Sequence, residues 1–372
     1  MQTTEALVNL NRVISNKATM PILNDIVFKL VDNTLQLMAS DNEVMLVTKI
    51  DVTDVEGEGC FAVNAKNIMD AVKNLPELPL TFTFNEKESK VMVDYFSGVF
   101  CLPTDNATEF PILPPINEEE SKSIIINESL LQENIARTIF ATADDDLRPV
   151  MNGIFFDLTN ECLSVVASDG HQLVRNKILT IMAEDESKQG GFILPKKPAT
   201  ILKAILGRSE DESVSMDFDD RKLCVNTKNF SMVCRLIEGR YPKYNSVIPK
   251  DNANIVRVDR TTLIAALKRV SPFSNNASQL VRFRLESDKL QLNTEDYDFN
   301  KTASEYIPCE YNGNPMVIGM KGTNTMEILR NINSEVIEIQ LSEPTRAALL
   351  LPSEQPQDME ILMLQMPMLL ND

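Results

Sequence analysis

Apolar and polar residues alternate along 23–41, LNDIVFKLVDNTLQLMASD, in the two-residue rhythm of a pair of half-buried strands. Phe28 and Leu30 share one face, Leu35 and Leu37 answer them, and Asp32-Asn33 marks the turn between. The same passage returns at 151–169, MNGIFFDLTNECLSVVASD. The two align without a gap: Asn24 on Asn152, Ile26 on Ile154, Phe28 on Phe156, Leu30 on Leu158, Leu35 on Leu163, and Ala39-Ser40-Asp41 on Ala167-Ser168-Asp169. A weaker third copy places Val281, Phe283, Leu285, Leu290, Leu292 and Asp296 in register. The spacing, about 128 residues, is the size of a whole domain and far longer than a solenoid repeat. One domain is used three times.

Helical spacing brackets each strand passage. Leu7, Leu10, Val13 and Ile14 predict a helix before the first copy. Leu131, Ile135, Thr138 and Ile139 predict one before the second, capped by Asn127 with Glu128 in its first turn. Leu263, Ile264, Leu267 and Val270 predict one before the third, capped by Asp259. A second helix follows in each third, at 64–75, 195–206 and 320–332, entered from a short apolar strand and followed by further alternating strands such as 80–84 and 223–225. The stretches Phe110-Pro111-Ile112-Leu113-Pro114 and Tyr241-Pro242-Lys243-Tyr244 are natural boundaries. The expected fold class is α+β: three repeated domains at 1–121, 122–250 and 251–372, each with two helices packed on about eight antiparallel strands.

Charge changes the picture once it is located. The chain carries a formal net charge of −18, which taken whole argues against nucleic acid. The six helical windows 5–17, 64–75, 128–143, 194–208, 259–271 and 320–333 nevertheless hold fourteen basic and six acidic residues, leaving the remainder at −26. Lys and Arg are good helix formers, but so is Glu, which is scarce in these windows. Basic helices facing a polyanion, with acidic sheets turned to solvent, fit this split. The 194–208 window, with Lys196, Lys197, Lys203 and Arg208 and no acidic residue, is the strongest local phosphate attractor.

Catalytic chemistry is poorly represented. The single histidine, His171, follows Asp169 by two residues, but neighbours in a turn do not by themselves supply a triad's geometry, and the copy containing Asp41 has no histidine. Gly319-Met320-Lys321-Gly322-Thr323 lacks phosphate-loop spacing. Asp144-Asp145-Asp146 reads as a solvated loop, and six scattered cysteines without a C-x-x-C pair read as reduced thiols of a cytosolic protein. No run of eighteen apolar residues or signal-like N-terminus occurs. Neither cofactor nor metal is expected. The methionine-rich tail 359–370 combines a last core strand at 361–364 with Met366, Met368 and Leu370 beyond Pro367, free to line a groove for apolar ligands.

Three domain copies, basic helices in an acidic chain, Ser-Asp-Gly-His-Gln-Leu at 168–173, Gly-Arg-Tyr-Pro-Lys-Tyr at 239–244 and Met-Pro-Met at 366–368 together resemble the bacterial sliding clamps, the beta subunits of DNA polymerase III. The resemblance runs through the whole chain in order. It implies a non-enzymatic processivity factor: a head-to-tail homodimer of two three-domain chains, closed into a ring with helices lining the hole and duplex DNA threaded through it without regard to sequence. Implied partners are the polymerase III catalytic subunit, an ATP-dependent clamp loader, and other polymerases and repair proteins carrying short apolar peptides. The resemblance implies a peptide groove at Met151, Ser168, Gly170, His171, Gln172, Leu173, Pro242, Ser246, Val247, Leu364, Met366, Pro367 and Met368. It departs from the family pattern where Gln172, Ser246 and Leu369 stand in place of common arginines, which bears on the preference for acidic peptide flanks. DNA-facing positions implied by the resemblance are Lys17, Lys73, Arg148, Lys196 and Lys197; the charge reading adds Lys203. The competing expectation is a triplicated peptide scaffold that does not encircle DNA.

Overall fold

The computed structural model of the chain describes residues 2–15, 20–75, 78–114, 116–117, 121–207 and 212–370. Its elements repeat in one order. The first third runs α1 (Gln2–Asn11), β1 (Asp25–Val31), β2 (Thr34–Ser40), β3 (Val44–Asp51), β4 (Gly59–Asn64), α2 (Ala65–Val72), β5 (Thr81–Asn85), β6 (Lys90–Tyr95) and β7 (Gly98–Pro103). The second runs β8 (Lys122–Asn127), α3 (Glu128–Thr138), β9 (Gly153–Leu158), β10 (Leu163–Ser168), β11 (Gln172–Ile178), β12 (Gly190–Pro195), α4 (Lys196–Ile205), β13 (Ser213–Phe218), β14 (Lys222–Asn226) and β15 (Phe230–Arg235). The third runs β16 (Asn254–Asp259), α5 (Arg260–Val270), β17 (Leu280–Glu286), β18 (Lys289–Asp296), β19 (Lys301–Pro308), β20 (Glu310–Tyr311), β21 (Met316–Lys321), α6 (Gly322–Arg330), β22 (Val336–Leu341), β23 (Ala348–Pro352) and β24 (Met359–Gln365). The α+β expectation holds. Among the described residues no helix is long and apolar enough to cross a membrane.

The caps read from sequence are in place. Asn127 Oδ1 accepts from the Ser129 and Leu130 amides at 3.0 and 3.2 Å, and Asp259 Oδ1 accepts from Thr262 at 2.7 Å. These bonds satisfy amides that the first helical turn leaves without partners. The strand register also follows the alternation: Leu30 faces Leu35 and Phe28 faces Leu37 across β1 and β2. The recurring aspartate is a turn device. Asp41 Oδ1 accepts from Glu43 and Val44 (3.0 and 2.7 Å), Asp169 Oδ1 from His171 and Gln172 (2.8 Å each), and Asp296 Oδ1 from Asp298 (3.2 Å).

Each repeat contributes strands to two different sheets. β1–β4 join strands of the second repeat in an eight-stranded sheet ordered β4-β1-β2-β3-β15-β14-β13-β8. β9–β12 join strands of the third in a nine-stranded sheet ordered β12-β9-β10-β11-β24-β23-β22-β16-β20. β19-β18-β17-β21 and β5-β6-β7 form separate sheets of four and three strands. By internal contacts the chain accordingly divides into one unit of 1–132 with 197–236 and another of 133–196 with 237–372. The helices are shorter than their sequence windows, and their excess falls to nine basic against five acidic residues. Among the described residues the trimmed ends carried Arg12, Lys73 and Lys321, while Lys17 and Arg208 lie outside the described residues. What remains sits mostly on α4 and α5, with three basic residues each.

In the first unit Asp25 opens β1 beneath the protein surface, 3% exposed, with Asn64 Nδ2 donating to it at 3.4 Å. Burial, then a hydrogen bond with Asp105 and the charge of that carboxylate, push Asp25 from 3.8 up to about 6. The folded state therefore holds a proton that the unfolded chain has already released between about pH 4 and 6, so this group's stabilising contribution is complete below that window and is lost as pH rises through it. Asp25→Asn is expected to raise the thermal midpoint at pH 8 and to lose that advantage by pH 4, measured by calorimetry across pH; a constant difference would remove the shared proton from the account.

Candidate partner groove and nucleic-acid surface

The candidate groove begins with a pairing between residues nearly two hundred positions apart. β11 pairs antiparallel with β24, setting Leu173 opposite Leu364, which on its other side faces Leu349 of β23. These three leucines join Val166, Ile193, Leu362 and the linker tyrosines Tyr241 and Tyr244 in one apolar cluster. The linker is shaped by particular contacts. Gly239 has φ +127, and a Cβ there would meet Val150 Cγ1 at 2.8 Å. Tyr241 stacks on Phe155 with centroids 4.8 Å apart, and the Tyr244 hydroxyl donates to Asp157 at 2.8 Å. Burial pushes the Tyr244 hydroxyl up to about 12, so it remains a donor at neutral pH. A short 3-10 turn over Tyr244–Ser246, closed by Ser246 Oγ donating to Lys243 O at 2.7 Å, leaves Val247 58% exposed.

The tail is less free than its sequence implies. β24 ends at Gln365, whose side chain accepts from Thr325 Oγ1 at 2.9 Å and donates to Lys321 O at 3.0 Å. Beyond it the Met366 amide donates to His171 O at 2.7 Å and the Met368 amide to Gly319 O at 2.8 Å. Between them Pro367 has no amide to offer. Gly319 permits this approach, since a Cβ there would lie 2.7 Å from Met368 O and 2.8 Å from Leu370 Cδ2. Met366 stays 42% exposed, while Met368 and Leu370 are half-buried. Backbone bonds thus fix the tail beside the sheet where the sequence suggested a free segment.

The structure brings Ser168, Gly170, His171 and Leu173 to the end of β11 where Met366 is tethered, and sets Leu364 directly opposite Leu173. Ser168 Oγ donates to Gln172 O at 2.8 Å and Gly170 adopts φ +90, so the turn is tightly defined. Met151 is buried, and Pro242 and Ser246 are exposed. Those two also line a cleft of about 730 Å³ with Phe155, Asp157 and Gly191, which includes neither Leu173 nor the tail methionines. Gln172 is set apart. Strand alternation turns it to the face opposite Leu173, where it is buried across from Gln365. Sequence reasoning passed over Gly319 as part of a failed phosphate loop; its small size is what seats the tail.

The described DNA-facing candidates divide by their neighbours. Lys73 pairs with Asp70, Arg148 with Asp145 at 2.8 Å, Lys196 with Asp144 at 2.8 Å and Lys197 with Asp41, while Lys197 also donates to Val13 O at 2.7 Å. Lys203 is exposed and has no ion pair among the described residues. Lys17 lies outside the described residues. Exposed pairs such as Lys73–Asp70 and Lys196–Asp144 contribute about 0–1 kcal/mol and are screened by salt, so a polyanion can displace their aspartates, whereas Asp41 beside Lys197 is largely buried. The Asp169 carboxylate is occupied by two backbone amides and the His171 ring is exposed, which is a turn and not an acid–base dyad.

Three copies of one unit, fused through shared antiparallel sheets, define a clamp-type architecture. Profiles of the DNA polymerase III beta subunit match in sequence: the N-terminal domain at 2–114, the central domain at 125–243 and the C-terminal domain at 245–369. The beta sliding clamp of Haemophilus influenzae is 28% identical over 339 residues, covering 91% of this chain and 90% of its own. The beta sliding clamp of Pseudomonas putida is likewise 28% identical, over 340 residues and the same shares of the two chains. A crystal structure of the Pseudomonas aeruginosa DNA polymerase III subunit beta superposes with TM-score 0.91 at 27% identity, covering 99% of this chain and 98% of that one. The same relative has been crystallised bound to griselimycin, again with TM-score 0.91 and 27% identity, covering 99% of this chain and 97% of that one. The chain belongs to the DNA polymerase III beta subunit family, the bacterial DNA sliding clamps.

Removing the turn carboxylate and removing the imidazole should differ in effect. Asp169→Ala is expected to cost about 1–3 kcal/mol, because two backbone amides lose their acceptor. His171→Ala should stay within about 0.5 kcal/mol, as expected for an exposed side chain. Urea denaturation of both variants checks this, and equal costs would contradict the turn assignment.

Proposed function

We propose that two copies of this chain close head-to-tail into a ring around duplex DNA and hold a polymerase on its template without catalysing a reaction. The observation that carries this reading is the inventory of strand junctions. The first two repeats meet at β3·β15 and the second and third at β11·β24. By the repeat order, the corresponding strands for a further junction are β19 and β7, and each lies at the edge of its own sheet. Val99 on β7 is 55% exposed and Tyr306 on β19 59% exposed. Long unpaired edges invite association, and a second copy can cover both edges at once in a closed symmetric assembly.

In this reading the domains are 1–121, 122–250 and 251–372, the basic helices face the duplex, and the acidic remainder faces solvent. An ATP-dependent loader opens the ring, and the protein works in the cytoplasm. The groove beside Leu173, Leu364, Met366 and Val247 takes short apolar peptides of polymerases, the loader and repair proteins, supported by the apolar cluster beneath it and the tethered tail. Met151, Ser168, Gly170, His171, Pro242, Ser246, Pro367 and Met368 form its surroundings. Processivity then comes from topology, since a closed ring leaves only by opening or by sliding off an end.

The protein is expected to sediment at twice its 41.8 kDa chain mass at micromolar concentration. Once loaded by a clamp loader, it should be retained on nicked circular DNA and lost from the same DNA linearised. Equal loss from both would leave a peptide scaffold as the better description. Deleting 366–372 should weaken a fluorescent Gln-Leu-Ser-Leu-Phe peptide more than about 20-fold, the effect of removing apolar anchors worth about 2 kcal/mol. Dimer mass and circular-DNA retention should be unchanged, and an unaltered peptide affinity would show the tail to be only the end of a core strand.

A further inference from the structure

In the second unit, α5 and α6 flank a pocket of about 310 Å³ whose lining includes Lys268, Ser271, Gln279, Thr323, Met326 and Arg330. Among the described residues no carboxylate lines it. Lys268 and Arg330 are exposed, and among the described residues neither side chain has a hydrogen bond or ion pair, whereas the adjacent Arg269 is held by Glu305. The Ser271 hydroxyl is buried with no partner among the described residues. The wall opposite is fixed: Thr323 Oγ1 donates to Gln279 Oε1 at 2.7 Å, and Gly322 N donates to Gln279 O at 2.9 Å.

We infer that this pocket seats a single phosphate group of the DNA backbone. Among the described residues two unpaired cations, the Ser271 hydroxyl and the side-chain amides of Asn276 and Gln279, with no competing carboxylate, form the donor set an oxyanion needs. Cations in the last turns of α5 and α6 are also favoured by the helix dipoles. That effect accounts for each cation alone; it does not explain why both stand over one pocket with an orphaned hydroxyl. The positions chosen from sequence are largely spent on aspartates, while this site has none to displace. The pocket would give the third repeat a defined hold on the duplex, in place of a diffuse field. The inference rests on the DNA-encircling reading only for the source of the phosphate, not for the chemistry of the site.

Met326 lines the pocket and supplies its own probe. In full-length protein labelled at the methionine methyls, with the Met326 signal assigned from Met326→Leu, inorganic phosphate added at constant ionic strength should move that signal saturably, and sodium chloride should not. Lys268→Gln combined with Arg330→Gln should weaken this response by about tenfold or more, as expected for the loss of charge-assisted bonds. Exchanging the two cations, Lys268→Arg with Arg330→Lys, should largely restore it, with an unchanged thermal midpoint in both variants. A short duplex should move the same signal in the wild type, and the double glutamine variant should lower the slope of log affinity against log salt by about 0.9 per phosphate seat lost. No response to phosphate, or the same response in the double variant, overturns the site. A response to phosphate without one to duplex leaves an adventitious ion only and overturns the DNA assignment. The phosphate titration needs neither DNA nor a closed ring, so its failure is distinguishable from failure of the circular-DNA retention test.

Discussion

The structure depends on one backbone constraint: strands that end one half of a repeat must find partners in a different repeat. β3 pairs with β15 and β11 with β24, so β1–β4 of the first repeat are completed by β13–β15 and β8 of the second, and β9–β12 of the second by β22–β24, β16 and β20 of the third. Unpaired amides and carbonyls at a strand edge are costly when covered and adhesive when exposed. Pairing them across repeats fuses successive copies through continuous sheets. It also leaves β7 and β19 as the two strands without the corresponding junction.

The candidate groove is a consequence of one such junction. Leu173 and Leu364 meet only because β11 pairs with β24, and the tail that follows β24 is thereby delivered to His171 and Gly319. The linker after the second repeat then folds its tyrosines into the same cluster, fixed by the Phe155 stack and the Asp157 hydrogen bond. The groove is therefore assembled from backbone pairing first and side chains second. Two exposed apolar side chains, Val247 and Met366, remain at its surface.

Much of this was legible in the sequence, and the limits have physical causes. Alternation set the β1–β2 register, and Asn127 and Asp259 announced two helix starts, because side-chain periodicity and capping are local. The repeated Ala-Ser-Asp was visible as a pattern, but the aspartate acts as an amide acceptor only once the turn after it has formed. Alternation tells which face a residue takes, not which strand lies beside it, so the sharing of sheet halves between repeats could not be read. The same limit explains Gln172. Its neighbours in the motif lie near the groove, yet strand parity turns it to the buried opposite face. Helix charge was legible in sign, and Lys73 lies three residues from Asp70; the pairing of Lys196 and Lys197 with aspartates was not legible, because Asp144 and Asp41 reach them from far along the chain.

The central claim is that β7 of one copy and β19 of another complete the junction that β3·β15 and β11·β24 make within the chain. Amide hydrogen exchange across a dilution series addresses it strand by strand. The account predicts that 98–103 and 301–308 are protected together at high concentration, in the alternating pattern of a paired strand, and lose protection together on dilution while β15 and β24 do not. Rapid exchange along both strands in a sample shown to be dimeric would contradict it.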